Sequence, residues 1–308
     1  MRTPRYMTGA DRWYKGNTHI HSTASDGGLD FSQLAAAYAG VGYDFLCRTD
    51  HWVASRCADD TRDYPLLWLD GIELDGWDGG ARDVGSYYHI VALGAFEGIS
   101  REMGFMAALA AARAQGGLTV LAHPCWTGNS FEDALRWGLD GVEIYNHVCH
   151  WLNGKGDGLA YWQAMLEQPN GALAWAVDDA HLRPEHPGWN GGWVMVQAAA
   201  CTPEAIFDAL REGRYYSSTG PAFHALDVRG PEVSVTMSPV RFVRLVGPAS
   251  RGARIGSFDG SLFAEASFVI PDDWAYAYLE IEDAAGKRAW TNTLLVDRED
   301  GAHETEEV

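Results

Sequence analysis

Up to residue 200 the chain alternates short apolar runs with Ala-rich stretches, and the runs repeatedly end in residues that bind metals. Asp50 and His51 close YDFLCRTDH, Glu73 lies in LDGIELDG, and His123 closes the apolar part of LTVLAHP. Asp178, Asp179 and His181 close ALAWAVDDAH. Between the runs, FSQLAAAYAGVG, EMGFMAALAAARAQGG and FEDALRWG carry helix formers at helical spacing and end in glycine. The segment TPEAIFDALREG, 202–213, adds a helix with a Thr cap and Pro at its first position. This βα rhythm belongs to a barrel or an open parallel sheet. In a βα barrel the carboxyl ends of the strands converge on one face, so the pattern predicts a single polar rim.

After RYYSSTGPAF the character changes. From 225 to 298, runs such as VSVTM, RFVRLVG, AEASFVI and AYAYLEIED alternate apolar and polar residues with Gly, Pro or Asp between them. They predict a small antiparallel β subdomain behind an α/β unit over 12–224, with an acidic tail at 299–308. With 42 acidic against 23 basic residues the net charge is −19, which repels nucleic-acid polymers and anionic membrane surfaces. No signal-like or membrane-spanning segment is present, and the five cysteines are scattered without a CxxC pair. The expectation is a soluble, cytoplasmic protein that acts on a small molecule.

Residues i and i+2 of a strand share a face, so His19 and His21 in GNTHIHSTASDGG can reach one ion. His89 opens HIVALGAF instead of closing it, so either that strand runs against the others or a loop returns it to the rim. Burying so many imidazoles and carboxylates together is costly without a compensating ion. The donor types suit zinc, manganese or iron, and they outnumber what one ion uses, so two or three divalent ions are expected. Such ions activate water and clamp phosphoryl or acyl oxygens, which makes the site hydrolytic. No P-loop, Rossmann glycine motif or GxSxG elbow appears.

Around the ligands, Arg48 and Arg183 are candidate phosphate clamps, each set against a structural or solvated alternative. His147, with His150 in YNHVCHW, is the candidate general acid, or else a polar rim residue. Trp52 and Trp126 follow ligand motifs and could wall the cleft for a nucleobase or aryl group, or simply fill the core. Tyr215 and Tyr216 meet the site or seal the junction with the β-rich end.

The motifs HIHSTASDG, TDHW, GIEL, AHP and DDAH resemble, in order, the metal-ligand motifs of the PHP (polymerase and histidinol phosphatase) family of metallohydrolases. GRYYSSTGP and AWTN are similar to the branch that includes CehA/McbA-type carbamate and ester hydrolases. The resemblance implies a distorted (β/α)7 barrel with up to three metals. Carried over, His19, His21 and Asp179 hold the first ion, Glu73 bridges it to a second, and His89 and His123 complete the second. His51 and His181 bind a third ion with Asp26, where many relatives have histidine. Asp50 and Asp178 are expected to orient neighbours instead of binding metal. The implied activity is hydrolysis of a small phosphorylated metabolite, a nucleotide or sugar phosphate mono- or diester, by a metal-bound hydroxide. The alternative is a CehA-like carboxyl-ester or carbamate hydrolase on the same ions; a remote one is a non-catalytic, metal-stabilised binding module.

Overall fold

The computed structural model describes residues 2–6, 12–79, 84–168 and 171–297. In chain order the first strands are β1 (Arg2–Pro4), β2 (Arg12–Asn17), β3 (Phe45–Cys47), β4 (Leu67–Leu69), β5 (Gly71–Trp77), β6 (Tyr87–Leu93), β7 (Leu118–Leu121), β8 (Gly141–Asn146), β9 (Leu173–Val177) and β10 (Trp193–Ala198). Interleaved with them are helices α1 (Phe31–Ala39), α2 (Phe105–Ala114), α3 (Pro124–Thr127), α4 (Phe131–Arg136), α5 (His147–Asn153) and α6 (Leu159–Leu166), and α7 (Pro203–Arg211) follows β10. Strands alone complete the chain: β11 (Tyr215–Ser218), β12 (Phe223–Arg229), β13 (Glu232–Val240), β14 (Phe242–Val246), β15 (Gly252–Gly256), β16 (Phe263–Val269), β17 (Tyr278–Glu282), β18 (Arg288–Thr291) and β19 (Leu295–Asp297).

Hydrogen bonding divides the expected barrel strands between two sheets, ordered β15-β14-β17-β18-β11-β10-β2-β3-β4 and β5-β6-β7-β8-β9. No closed barrel forms among these ladders. Within them β2, β3 and β4 run parallel, as do β7, β8 and β9. β6 is antiparallel to both neighbours, which settles the position of His89: a reversed strand presents its first residues where parallel strands present their last. Two isolated parallel bridges, Ile20 to Ala180 and His51 to Glu73, join the two sheets at that rim.

The strands of the first part are buried on both sides and therefore read as unbroken apolar runs. Phe45, Val91, Val120, Trp175 and Val196 meet between the sheets. Helix α7 begins as the sequence predicts, with the Thr202 side chain accepting from Ala205 N and Pro203 in the first turn, and buries Ile206, Ala209 and Leu210.

In the antiparallel part β13 alternates, sending Val233, Val235 and Met237 towards Val243, Leu279 and Ile281. This part is stitched to the first by β11, which pairs with both β10 and β18. The outer edge of β9 is closed by side chains instead of a strand: Asn292 Oδ1 accepts from Ala174 N and Ser217 Oγ from Ala176 N, each at 2.8 Å. Tyr215 and Tyr216 are buried there against Trp175 and Phe223, away from the polar rim. Among the described residues no helix is long and apolar enough to cross a membrane. The acidic tail, 299–308, lies outside the described residues.

Candidate metal centre

Beyond β2 the chain continues extended through the bridge at Ile20, so side chains alternate. Ile20 turns outward against Leu34 and Leu46, and His19 and His21 turn inward, completely buried. Asp50 holds the following loop: its carboxylate accepts from the backbone N–H and hydroxyl of Ser22 at 2.8 Å and from the Ser25 hydroxyl at 2.6 Å. That loop brings Asp26 back over the rim, with Oδ2 3.2 Å from His181 Nε2. The two glycines after Asp26 are needed for space. A Cβ at Gly27 would lie 2.3 Å from the His21 carbonyl oxygen, and one at Gly28 2.5 Å from that of Leu182.

At the centre of the rim four donor atoms converge. His19 Nε2 lies 3.1 Å from His21 Nε2, 3.0 Å from Glu73 Oε2 and 3.3 Å from Asp179 Oδ1. His21 Nε2 lies 3.1 Å from both carboxylate oxygens. Five edges of a tetrahedron are thereby measured. A regular tetrahedron with edges of about 3.1 Å has its corners about 1.9 Å from its centre, close to the roughly 2.0 Å of a zinc–imidazole bond. The donor set and its spacing fit a divalent ion.

Two further groups share members with the first: His21, Asp26, His51 and His181, and His51, Glu73 and His89. Glu73 spans two groups, with Oε1 2.7 Å from His89 Nδ1 and Oε2 3.4 Å from His51 Nε2. His123 stands slightly apart, its Nε2 3.7 Å from both Glu73 Oε1 and Asp179 Oδ2. The structure therefore brings all nine expected ligands to one rim, with His51 closer than His123 to Glu73 and His123 closer than His51 to His89. Backbone strain gathers there as well. Trp52, His123, Asp179 and Leu182 adopt positive φ without being glycine, a cost that packing sustains where geometry matters.

Two carboxylates of the centre escaped the sequence reading. Glu143 of β8 is buried, with Oε1 2.6 Å from His19 Nδ1. Asp75, two residues after Glu73 and on the same face of β5, lies 3.4 Å from His51 Nδ1 and accepts from Trp52 Nε1 and the Tyr87 hydroxyl. Asp75 carried a signal, the i, i+2 spacing from Glu73, whereas Glu143 lies within an apolar run with no such mark. Asp178 has a structural role, accepting from the Tyr38 hydroxyl and from the backbone of Asn190, Gly191 and Gly192.

The electrostatics of the centre favour positive charge among its carboxylates. Burial opposes charge on His19, yet Asp179, Glu73 and Glu143 outweigh it and hold its pKa well above the usual value. Burial likewise opposes charge on His21, but hydrogen bonds to Asp179 and Glu73 prevail and raise it to about 9. For Glu73, burial disfavours the anion, but His19, His51 and His89 keep it ionised far below the ordinary carboxylate range. With neutral imidazoles the carboxylates are uncompensated, and the histidines then take up protons where divalent cations would serve.

A cleft of about 200 Å³ opens over the centre, lined by seven of the nine expected ligands, all but His19 and His21, together with Trp126, Val148, Leu152, Arg183 and His186. It is smaller than the roughly 300–1,000 Å³ of most ligand pockets, so it admits a compact head group. The Nε of Arg183 and the Nδ1 of His186 are buried without a hydrogen-bond partner. Trp126 is 39% exposed and lies across His123, ring centroids 5.1 Å apart. The other expected residues are not brought to this cleft. Arg48 is buried in an ion pair with Asp60 at 2.7 Å and stacks on Phe31 at 3.9 Å. β3 ends at Cys47, so Arg48 does not continue the strand's alternation towards the rim. His147 begins α5, and the helix turns its ring onto Gly191, where Tyr145 is its hydrogen-bond partner. Burial lowers its pKa. His150 lies near Tyr145, and Trp52 donates to Asp75 beneath Arg101.

No family model matches the chain, and no curated protein matches it in sequence. Among solved structures it is similar to a two-domain protein from Bacteroides vulgatus containing a predicted PHP-like metal-dependent phosphoesterase. The similarity covers 94% of this chain and 98% of that one at 13% identity, with a TM-score of 0.53. The fold is PHP-like. An amidohydrolase from Chromobacterium violaceum is also similar, over 65% of this chain and 96% of its own, at 17% identity and a TM-score of 0.41. The PHP-like correspondence spans the antiparallel strands as well as the rim-bearing part.

Proposed function

We propose that the chain is a metal-dependent hydrolase, and within that class a phosphoesterase acting on a small phosphorylated metabolite, a nucleotide or sugar phosphate mono- or diester. The convergence of His19, His21, Glu73 and Asp179 at the edge lengths of a metal polyhedron carries this reading. In it those four hold one ion, Glu73 with His89, His51 and His123 holds a second, and Asp26, His51 and His181 hold a third. Two or three manganese, zinc or iron ions fit these donors. Divalent ions in such a site activate water near neutral pH and offset charge on phosphoryl oxygens.

The chain's own residues do the rest. Arg183 offers its guanidinium to a phosphoryl oxygen inside the cleft, and Glu73 fixes the spacing between groups. Trp126, Val148 and Leu152 keep water from one side. The two bridges at Ile20 and His51 support reading the part over 12–224 as an open, distorted relative of a βα barrel, with 225–298 as a β-rich unit. Five free cysteines suit a cytoplasmic setting.

The apolar side of the cleft favours a second reading, a carboxyl-ester or carbamate hydrolase on the same ions. Initial rates of the manganese-reconstituted protein on an aryl phosphate monoester, its bis-aryl diester, a nucleotide set and an aryl methylcarbamate separate the two. Phosphate release with a silent carbamate is expected; turnover of the carbamate alone would replace the first reading with the second.

A further inference from the structure

We propose that Glu143 is the positioning residue of this centre, holding His19 in the tautomer that can bind an ion and linking it to His123 and Asp179. The proposal rests on the metal-dependent reading above. Glu143 is 1% exposed, and no lysine or arginine among the described residues pairs with it. Its only charged partner there is His19, with Nδ1 at 2.6 Å from Oε1. The other oxygen, Oε2, accepts from the backbone N–H of His123 and from Asn146 Nδ2, both at 2.8 Å. The Asn146 amide also reaches Asp179 Oδ2 at 3.2 Å, and its Oδ1 accepts from Cys149 N at the start of α5.

An ionised carboxylate can only accept, so the proton of a neutral His19 sits on Nδ1 and its Nε2 presents a lone pair. That lone pair faces Glu73 Oε2 and Asp179 Oδ1, which are acceptors as well. Acceptors crowded around one point need a cation among them, and Glu143 ensures that His19 is one of those acceptors. With the proton on Nε2 the same ring would donate to Glu73 and be lost as a ligand. The second oxygen acts on geometry. His123 has φ of 29°, and the bond to Glu143 pins the backbone N–H of this strained residue while its ring turns towards Glu73 and Asp179. Glu143 does not line the cleft, so it acts through His19 and His123 and not on a substrate.

Zinc and cobalt titrations of the ion-free protein, followed by calorimetry and by the visible absorption of the cobalt form, test this. Glu143→Gln should weaken the tightest site tenfold or more and shift the cobalt spectrum, with Glu143→Asp recovering most of the affinity. In the zinc-loaded wild type, ¹⁵N spectra should show His19 protonated on Nδ1. A Glu143→Gln protein with affinity within twofold of wild type and an unchanged spectrum would overturn the proposal. If that variant does not fold, ¹⁵N spectra placing the His19 proton on Nε2 in the zinc-loaded wild type, with unchanged affinity and spectrum in Asn146→Ala, would overturn it equally. A wild-type chain that binds neither ion fails one step earlier and removes the metal reading itself.

Discussion

Glu73 is the residue on which the centre turns, because each of its oxygens faces a different group of histidines. Glu73→Gln should remove at least one ion per chain and reduce hydrolysis by more than the 10- to 100-fold typical of outer-shell partners, read by metal analysis and initial rates. Protons report the same electrostatics. His21, raised to about 9 in the ion-free fold, binds its proton more tightly folded than unfolded. Its contribution to stability is complete below about pH 6.5 and is lost as pH rises through about 9. Glu73, held far below its ordinary range, contributes above that range and loses its contribution in acid. The melting temperature of the chelated protein should therefore fall from pH 6.5 to 9.5, and saturating zinc should abolish the fall; a rise on chelation over this interval would refute the assignment. Which residues sequence could reveal follows from how they sit. Candidate ligands at run ends were visible because strand ends expose polar side chains at a rim. Glu143 was hidden because it lies mid-run, where its apolar neighbours masked it. Arg48 lies past the end of β3, where strand alternation no longer carries it to the rim, and His147, expected near the cleft because it follows β8, is turned away by α5.

At the scale of elements, the βα alternation was legible up to α7, since buried parallel strands are apolar throughout and helices announce their caps. The reversal of β6 was left open, because direction depends on hydrogen-bond partners far away in sequence. Equally hidden was the seam between β9 and the late strands, which is built from side chains: Asn292 serves Ala174 N, Gly213 O and Tyr215 O. Asn292→Ala leaves the buried Ala174 N–H without its acceptor and should destabilise the fold by about 1–3 kcal/mol, measured by urea unfolding. Its ion affinity should stay at the wild-type value, because the seam lies away from the rim.

For the whole molecule, the net charge of −19 and the acidic cluster at the rim point the same way, towards cations as part of the native state. Ligands that bind only the folded chain stabilise it by about 4 kcal/mol at a thousandfold excess over Kd. Manganese or zinc should accordingly raise the melting temperature by several degrees, and a chelator should reverse it. The most direct test of the account is the metal content per chain after dialysis against manganese or zinc and desalting, determined by mass spectrometry on wild type and Asp179→Asn. Two or three ions in the wild type, with fewer in the variant, is the predicted result. No ion in the wild type, or the same number in both proteins, would contradict the metal centre on which every functional conclusion here depends.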